Sequence, residues 1–179
     1  MNIFVLDKDP HIAAWMHDDL RLGKMLIEAT QMLTTALYRH GANETMLLNA
    51  GVTTQAGNAW RITHQHHPCT IWAGNTRSNW WWLWDHAVGL GTEFYFRRGK
   101  HHACRDPAFN TSRLANLIPD GPLTRHPLAF FVVVHLKHPL FEVLPLKRSV
   151  LHPVFAKLHV QSIGELTTQG HWQRESSQE

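Results

Sequence analysis

Half of the chain's eight tryptophans fall within five consecutive residues, at Trp80, Trp81, Trp82 and Trp84. The surrounding segment, residues 79–96, predicts a helix, and Ser78 is a residue type that caps helix N-termini. Apolar side chains occupy most sides of this helix, and a helix of that kind is usually buried at the centre of a core. Other elements must therefore surround residues 79–96, which favours a helical protein built around them.

A second helix, of amphipathic character, is predicted upstream over residues 10–39. Its apolar residues recur at spacings of three and four, as expected for a helix with one buried face. Asp9 can cap its start, Pro10 suits the first helical position, and Gly41 marks its end. Two long helices of this kind predict a mainly α fold.

Two short β elements and the domain bounds complete the predicted fold. Residues 3–6 predict a short buried strand, and the β-branched run at residues 130–134 favours a small β element. A chain of 179 residues suits one domain. We predict a single compact helical domain over residues 1–172 and a frayed polar tail over residues 173–179.

Composition narrows the cellular setting. Charged residues make up only 17% of the chain, the formal net charge is +3, and 15 histidines contribute much of the polar surface, so the attraction to phosphate is mild. The first residues lack the pattern of a signal peptide, and the apolar residues 128–146 are interrupted by charged residues, histidine and proline. Cys69 and Cys104 do not make a disulfide framework. We therefore expect a cytoplasmic protein without a membrane partner.

The amphipathic helix carries an unusual polar stripe. Spacings of three and four place six residues on one face: His17, Arg21, Lys24, Glu28, Gln31 and Thr35. This polar stripe is either an ordinary solvated face or a site that binds an anion and moves a proton, because it combines cations, a carboxylate and an imidazole.

Histidine and cysteine form two further groups. The first is residues 64–69, and the second contains His101, His102 and Cys104. They could supply a zinc site or form polar turns whose imidazoles bond to the backbone. Because their spacing matches no standard zinc pattern, we predict no metal site and no cofactor.

The tryptophan-rich helix also has a polar face. Asn79, His86 and Glu93 recur every seven residues and so lie near one another. In a helix this apolar, such groups are buried or line a cleft, and buried ones need partners. Facing the polar stripe across a groove with tryptophan walls, they would make a pocket for a nucleic-acid base.

The chain resembles a group of small phage-encoded proteins over residues 1–129. The resemblance rests on residues 1–7, 17–19, 24–25, 28–33, 67–69, 72, 78–79, 82–83, 98–100, 102 and 117–129. The group is similar to the amino acid:DNA transferases of thymine hypermodification. These enzymes replace the activating pyrophosphate of a 5-hydroxymethyluracil base in DNA with the amine of an amino acid. The chain departs from the group's pattern at Asp18, Leu20 and Arg21, where the group has Cys, Lys and His.

The resemblance implies DNA and a free amino acid as partners. It assigns proton transfer and catalysis to Glu28, His17 and Lys24. It assigns phosphate or DNA binding to Arg21, Arg98, Lys100, His67 and His102. It assigns the base pocket to Trp72, Trp82, Asn79, His86 and Gln31.

Two other functions fit the same residues. One is a small helical DNA glycosylase of the pyrimidine-dimer type, which uses an N-terminal amine as nucleophile; Asn2 is bulkier than the residues that usually permit removal of Met1. The other is a non-catalytic phage protein that binds nucleic acid or a host protein. Four cations discriminate between these functions: Arg21, Lys24, Arg98 and Lys100. Their convergence on one pocket with Glu28 would favour an enzyme, and a scattered arrangement would favour binding without chemistry.

Overall fold

The computed structural model describes residues 2–126. Over these residues the chain forms six α-helices and one 3-10 helix: α1 (Pro10–Trp15), α2 (Asp19–Arg39), α3 (Glu44–Ala50), α4 (Pro68–Asn75), α5 (Arg77–Arg98), α6 (Arg105–Asn110) and the 3-10 helix Thr111–Leu117. Within this part of the chain, β pairing is limited to one antiparallel bridge between Thr53 and Ala59. The mainly α prediction is confirmed.

The predicted strand at residues 3–6 is wrong. These residues have no regular secondary structure, because no described strand lies beside them to complete a ladder. They form an irregular segment instead, in which the Leu6 amide donates to the Phe4 carbonyl at 3.0 Å and Ile3 is buried in the core. The β element predicted near residues 130–134, the domain end at 172 and the tail 173–179 lie outside the described residues.

The single helix predicted over residues 10–39 is two helices. Asp9 and Pro10 start α1 as expected, and the Asp9 side chain accepts from the backbone amides of His11 and Ile12 at 2.8 and 3.2 Å. Asp18 then adopts an extended conformation and caps α2, accepting from the amides of two following residues. A side chain at its preferred capping position therefore ends one helix and begins the next.

The tryptophan-rich helix α5 is central, as the sequence predicts. It packs against α1, α2, α4 and α6, and Trp80, Trp82 and Trp84 are all buried. Its cap differs from the prediction: Thr76 accepts from the Asn79 amide, while the Ser78 hydroxyl donates to the carbonyl of Gly121 at 2.7 Å. No helix within residues 2–126 is both long enough and apolar enough to span a bilayer.

Candidate functional site

The polar stripe changes character along its length. His17, just before α2, is buried, whereas the side chains of Arg21 and Lys24 are 58% and 70% exposed. The Glu28 side chain is only 14% exposed, and Thr35 is again buried. The stripe is therefore not a uniformly solvated face: its charged members span a gradient from water into the protein.

Glu28 is the point where three segments of the chain meet. Its carboxylate accepts from the backbone nitrogen of Asn2 at 2.8 Å and lies 3.7 Å from the Lys24 ammonium. It also interacts electrostatically with His67, at the start of α4. Lys24 and Glu28 are neighbours, and His67 is within electrostatic range of the Glu28 carboxylate; we call these three residues the acid–base cluster.

The imidazole of His67 is held by a backbone bond. His67 is the residue before α4, and its Nδ1 accepts from the Cys69 amide at 3.2 Å. This bond puts the proton of a neutral ring on Nε2. Burial lowers the pKa of His67, which favours the neutral form and leaves Nε2–H available as a donor.

The second histidine group repeats this turn. His102 Nδ1 accepts from the Cys104 amide at 3.1 Å, and burial raises the pKa of Cys104 to about 11 and that of Cys69 above its usual value. Over residues 2–126, no three His, Cys, Asp or Glu side chains are placed to share a metal ion. In each group one imidazole, that of His67 or His102, accepts a hydrogen bond from the backbone of its own turn.

Part of the predicted phosphate-binding set lies around the first turns of α2. Arg21 pairs with Asp18, and Arg98 donates to the carbonyl of Asp19 at 3.2 Å. The ring of His102 packs over Gly23, where a β-carbon would lie 3.5 Å from it. Lys100 is exposed beyond the end of α5. These cations share one end of the bundle, whereas His67 belongs to the acid–base cluster.

The predicted base-pocket residues form a continuous aromatic column. His17 lies 5.5 Å from His86, His86 stacks on Trp82 at 5.3 Å, and Trp82 meets Trp72 edge-on at 6.0 Å, measured between ring centroids. All four rings are buried. These four rings therefore lie in contact inside the core.

Their polar atoms already have partners within the chain. Asn79 donates to the Trp72 carbonyl at 2.9 Å and to the Thr124 hydroxyl at 2.8 Å, and accepts from the Thr124 amide at 2.8 Å. His86 Nδ1 bonds to the Pro10 carbonyl at 3.0 Å. Gln31 is half-buried on α2. A role for these residues in holding a base stays a prediction.

Two buried residues of this region titrate abnormally. Burial lowers the pKa of His17 to about 4 and that of His86 to about 3, so both rings are neutral near pH 7. His17 Nε2 is buried without a hydrogen-bond partner. His17 lies before the first turn of α2 and Glu28 on its third, so the two predicted bases belong to separate environments.

Asp85 was missed by the sequence reasoning. Burial, with a smaller contribution from Asp9, raises its carboxyl pKa to about 6, which places it among the perturbed groups that often mark functional sites. The available signal was a carboxylate directly after Trp84, in the tryptophan-rich part of α5.

Arg97 was also missed, although it organises the break between α1 and α2. Its guanidinium donates to Glu93 at 2.6 Å, to Asp19 at 2.8 Å, and to the carbonyls of Trp15 and His17 at 2.8 Å each. The sequence showed only a cationic helix end, which the helix dipole already explained. The four partners become visible only once the helices pack.

A cavity of about 320 Å³ lies at the far end of α2. It is bounded by the C-terminal half of α2, the loop at residues 62–66 and the first turn of α4. Its lining residues are Thr35, Tyr38, Arg39, Ile62, Gln65, His66, Thr70 and Ile71. The sequence analysis did not predict this cavity.

Comparisons with known proteins returned no match to this chain, whether the comparison was with family models, curated proteins or solved structures.

Proposed function

We propose that the protein modifies bases in DNA, transferring the amine of an amino acid to a pyrophosphate-activated 5-hydroxymethyluracil. The observation that carries this proposal is the position of Glu28. The Glu28 carboxylate is largely buried and lies 3.7 Å from the Lys24 ammonium. It also interacts electrostatically with His67. The resemblance assigns roles to all three residues.

The acid–base cluster suits the steps of this reaction. The amine attacks the 5-methylene carbon of the base, so a C–N bond forms while the C–O bond to pyrophosphate breaks, and its electron pair leaves with the pyrophosphate. Glu28 takes the proton that the amine loses. Lys24 neutralises the charge on the leaving group, and Nε2–H of His67 donates to the base or to a phosphate.

The surface around the end of α5 supports DNA as the partner. Tyr95 stacks on His101 with ring centroids 4.4 Å apart, and Phe96 is 81% exposed. Exposed aromatic rings next to Arg98 and Lys100 combine stacking platforms with cations, the combination that binds unpaired nucleotides. A flipped base or a single-stranded stretch of DNA would stack on the rings and place its phosphates beside the cations.

The test is nucleoside mass spectrometry. DNA carrying the activated base is incubated with the protein and a mixture of amino acids, then digested to nucleosides. We expect an amino-acid adduct of thymidine with the wild-type protein and none with Glu28→Gln. Glu44→Gln, which changes an exposed carboxylate in the first turn of α3, is the matched control and should keep full activity. Full activity of a folded Glu28→Gln variant would remove the proposal.

A DNA glycosylase is the second candidate, and one contact favours it. The Asn2 nitrogen lies 2.8 Å from the Glu28 carboxylate. In a protein from which Met1 has been removed, that nitrogen would be an amine beside a carboxylate. It could attack C1′ of a damaged nucleotide, expelling the base and forming an imine.

Borohydride separates the two functions. Reduction during incubation with ultraviolet-damaged DNA would trap the imine as a stable protein–DNA adduct, and intact mass would show whether Met1 is present. The transferase proposal expects no trapped adduct. DNA binding without an adduct in either assay would instead indicate a non-catalytic binding protein.

A further inference from the structure

We infer that the cavity at the far end of α2 is a binding site for a small organic anion, a carboxylate or phosphate attached to an apolar group. Its volume of about 320 Å³ falls at the lower end of the range for small-molecule sites. The cavity begins at Thr35, two helical turns beyond Glu28 and so about 10 Å along the axis. The cavity lining shares no residue with the acid–base cluster, and the inference goes beyond the proposed function.

The charge of the lining favours an anion. The lining includes the guanidinium of Arg39 and the imidazole of His66, and it contains no carboxylate. Within the described residues, Arg39 makes one hydrogen bond, a long one of 3.4 Å from NH1 to the Ile71 carbonyl. This bond holds the side chain at the rim while most of its N–H groups stay free to form charge-assisted bonds.

A buried hydroxyl provides a second, independent observation. Thr70 lines the cavity and is only 1% exposed, and its Oγ1 has no hydrogen-bond partner among residues 2–126. A buried polar group left in this state costs free energy, so its persistence points to a partner that these residues do not supply. Thr70 lies in the first turn of α4, where backbone amides also favour negative charge.

The remaining walls define the other part of the ligand. Ile62 and Ile71 present aliphatic surface, and Ile62 is half exposed. The Thr35 hydroxyl is already committed: it donates to the Thr63 carbonyl at 3.2 Å and accepts from the Thr63 amide at 3.1 Å. These two bonds fix the loop that forms one wall of the cavity to α2. The ligand would place its anionic group toward Arg39 and Thr70 and its apolar group against Ile62 and Ile71.

A matched pair of probes tests the inference on the full chain. Benzoate and benzamide have nearly the same shape and differ in charge. In a titration followed by amide chemical shifts, we expect benzoate to shift the amides of Thr70 and Ile71, and benzamide to bind at least about tenfold more weakly, as loss of a charged hydrogen bond implies. Phenyl phosphate should behave as benzoate does. Equal binding of the two probes, or no shift at Thr70, would overturn the inference.

Variants locate the site and separate ligand binding from folding. Arg39→Gln should weaken benzoate binding about tenfold, whereas Arg61→Gln, at an exposed arginine outside the lining, should change it less than twofold. Thr70→Val removes the unpartnered hydroxyl, so it should preserve or raise stability while weakening benzoate binding. A loss of stability with unchanged binding would give the hydroxyl a purely structural role and contradict the inference.

A competition experiment with DNA distinguishes a small organic anion from a phosphate of the DNA backbone as the ligand. A DNA oligonucleotide that binds the protein should leave the benzoate-induced shifts at Thr70 unchanged. Competition that depends on Arg39 would mean that the cavity takes a backbone phosphate, and the small-molecule assignment would fall.

Discussion

The polar face of α5 and the polar stripe of α2 have the same helical periodicity but different surroundings. On α5, Asn79, His86 and Glu93 are all buried; Asn79 and His86 are bonded to other segments of the chain, and Glu93 is bonded to Arg97 on the same helix. On α2, the charged residues Arg21 and Lys24 are exposed and bonded only to acidic neighbours on their own helix or at its cap. Spacing alone therefore does not separate structural from functional polar residues; the apolar content of the rest of the helix does.

The three residues of α5 connect separate segments to the central helix. Asn79 fixes the segment around Thr124, His86 fixes the first turn of α1, and Glu93 holds Arg97 over the break between α1 and α2. Asn79 and His86 bond directly to residues far away in the sequence, and Glu93 is linked to such residues through Arg97. We therefore expect losses on α5 to destabilise the fold and losses on the exposed part of α2 to affect ligands.

The largest effect is expected for Arg97→Ala. It would leave Glu93 buried without its ion-pair partner and the carbonyls of Trp15 and His17 unbonded, so the free energy of unfolding should fall by about 4 kcal/mol. Urea denaturation followed by tryptophan fluorescence measures this loss. Arg97→Lys should recover part of it by restoring the charge. A fall below about 1 kcal/mol would show that solvent replaces the guanidinium, contrary to the role given to α5.

Asn79→Ala should rank second. The change removes three hydrogen bonds in the core and orphans the carbonyl of Trp72 and the amide of Thr124, which predicts a loss of about 3 kcal/mol. Asn75→Ala, at an exposed position near the end of α4, is the control and should cost little. Equal stability of the two variants would contradict a structural role for Asn79.

A third effect concerns pH. The folded-state pKa values of His17 and His86, about 4 and 3, lie below the usual 6.5, so the unfolded chain binds protons that the folded chain does not as pH falls below 6.5. Stability should therefore fall between pH 6.5 and 4. The carboxyl pKa of Asp85 is about 6 in the folded state, above the usual 3.8. Below pH 6 the folded chain therefore binds a proton there that the unfolded chain does not, which raises stability as the pH falls.

The two histidines outweigh Asp85 by about one proton, and the lowered pKa values of His67 and His102 act in the same direction as those of the two histidines. A slope of about 1.4 kcal/mol per pH unit or more is therefore predicted in this window. Denaturation at a series of pH values measures the slope. His17→Phe removes one titrating group, so the slope should fall by about 1.4 kcal/mol per pH unit while stability at pH 7 is kept. An unchanged slope would place the pH dependence in other groups.

The parts of the fold that were predictable from sequence depend on local chemistry. The start of α1 follows from Pro10 at the first helical position, and the end of α2 falls near Gly41 as expected. The burial of the α5 polar face followed from its apolar neighbours. Each of these inferences needs only a few adjacent residues.

The missed parts depend on contacts between distant residues. The capping residue Asp18 is a local signal for the start of α2, but the bonds from Arg97 to the carbonyls of Trp15 and His17 join residues far apart in the sequence. Ser78 gives up its capping position because the Gly121 carbonyl is within reach of its hydroxyl. The cavity arises where a loop crosses α2. Contacts between distant residues leave no local pattern in the sequence. The candidate residues could therefore be identified from the sequence, but their bonding partners could not.

The smallest effect on stability, and the sharpest test of the comparison, is expected at the exposed end of α2. Arg21→Ala and Lys24→Ala should each change the free energy of unfolding by less than about 0.5 kcal/mol, because exposed ion pairs contribute little. If these cations contact DNA phosphates, each variant should weaken DNA binding and reduce the salt dependence of the binding constant by about one unit of logarithmic slope. Fluorescence anisotropy over a range of KCl concentrations measures both quantities, with Arg61→Ala as an exposed control elsewhere. If the salt dependence of DNA binding is unchanged in both variants, the charged half of the polar stripe is an ordinary solvated face. The polar residues of α5 and α2 would then differ in their effect on stability and not in ligand binding.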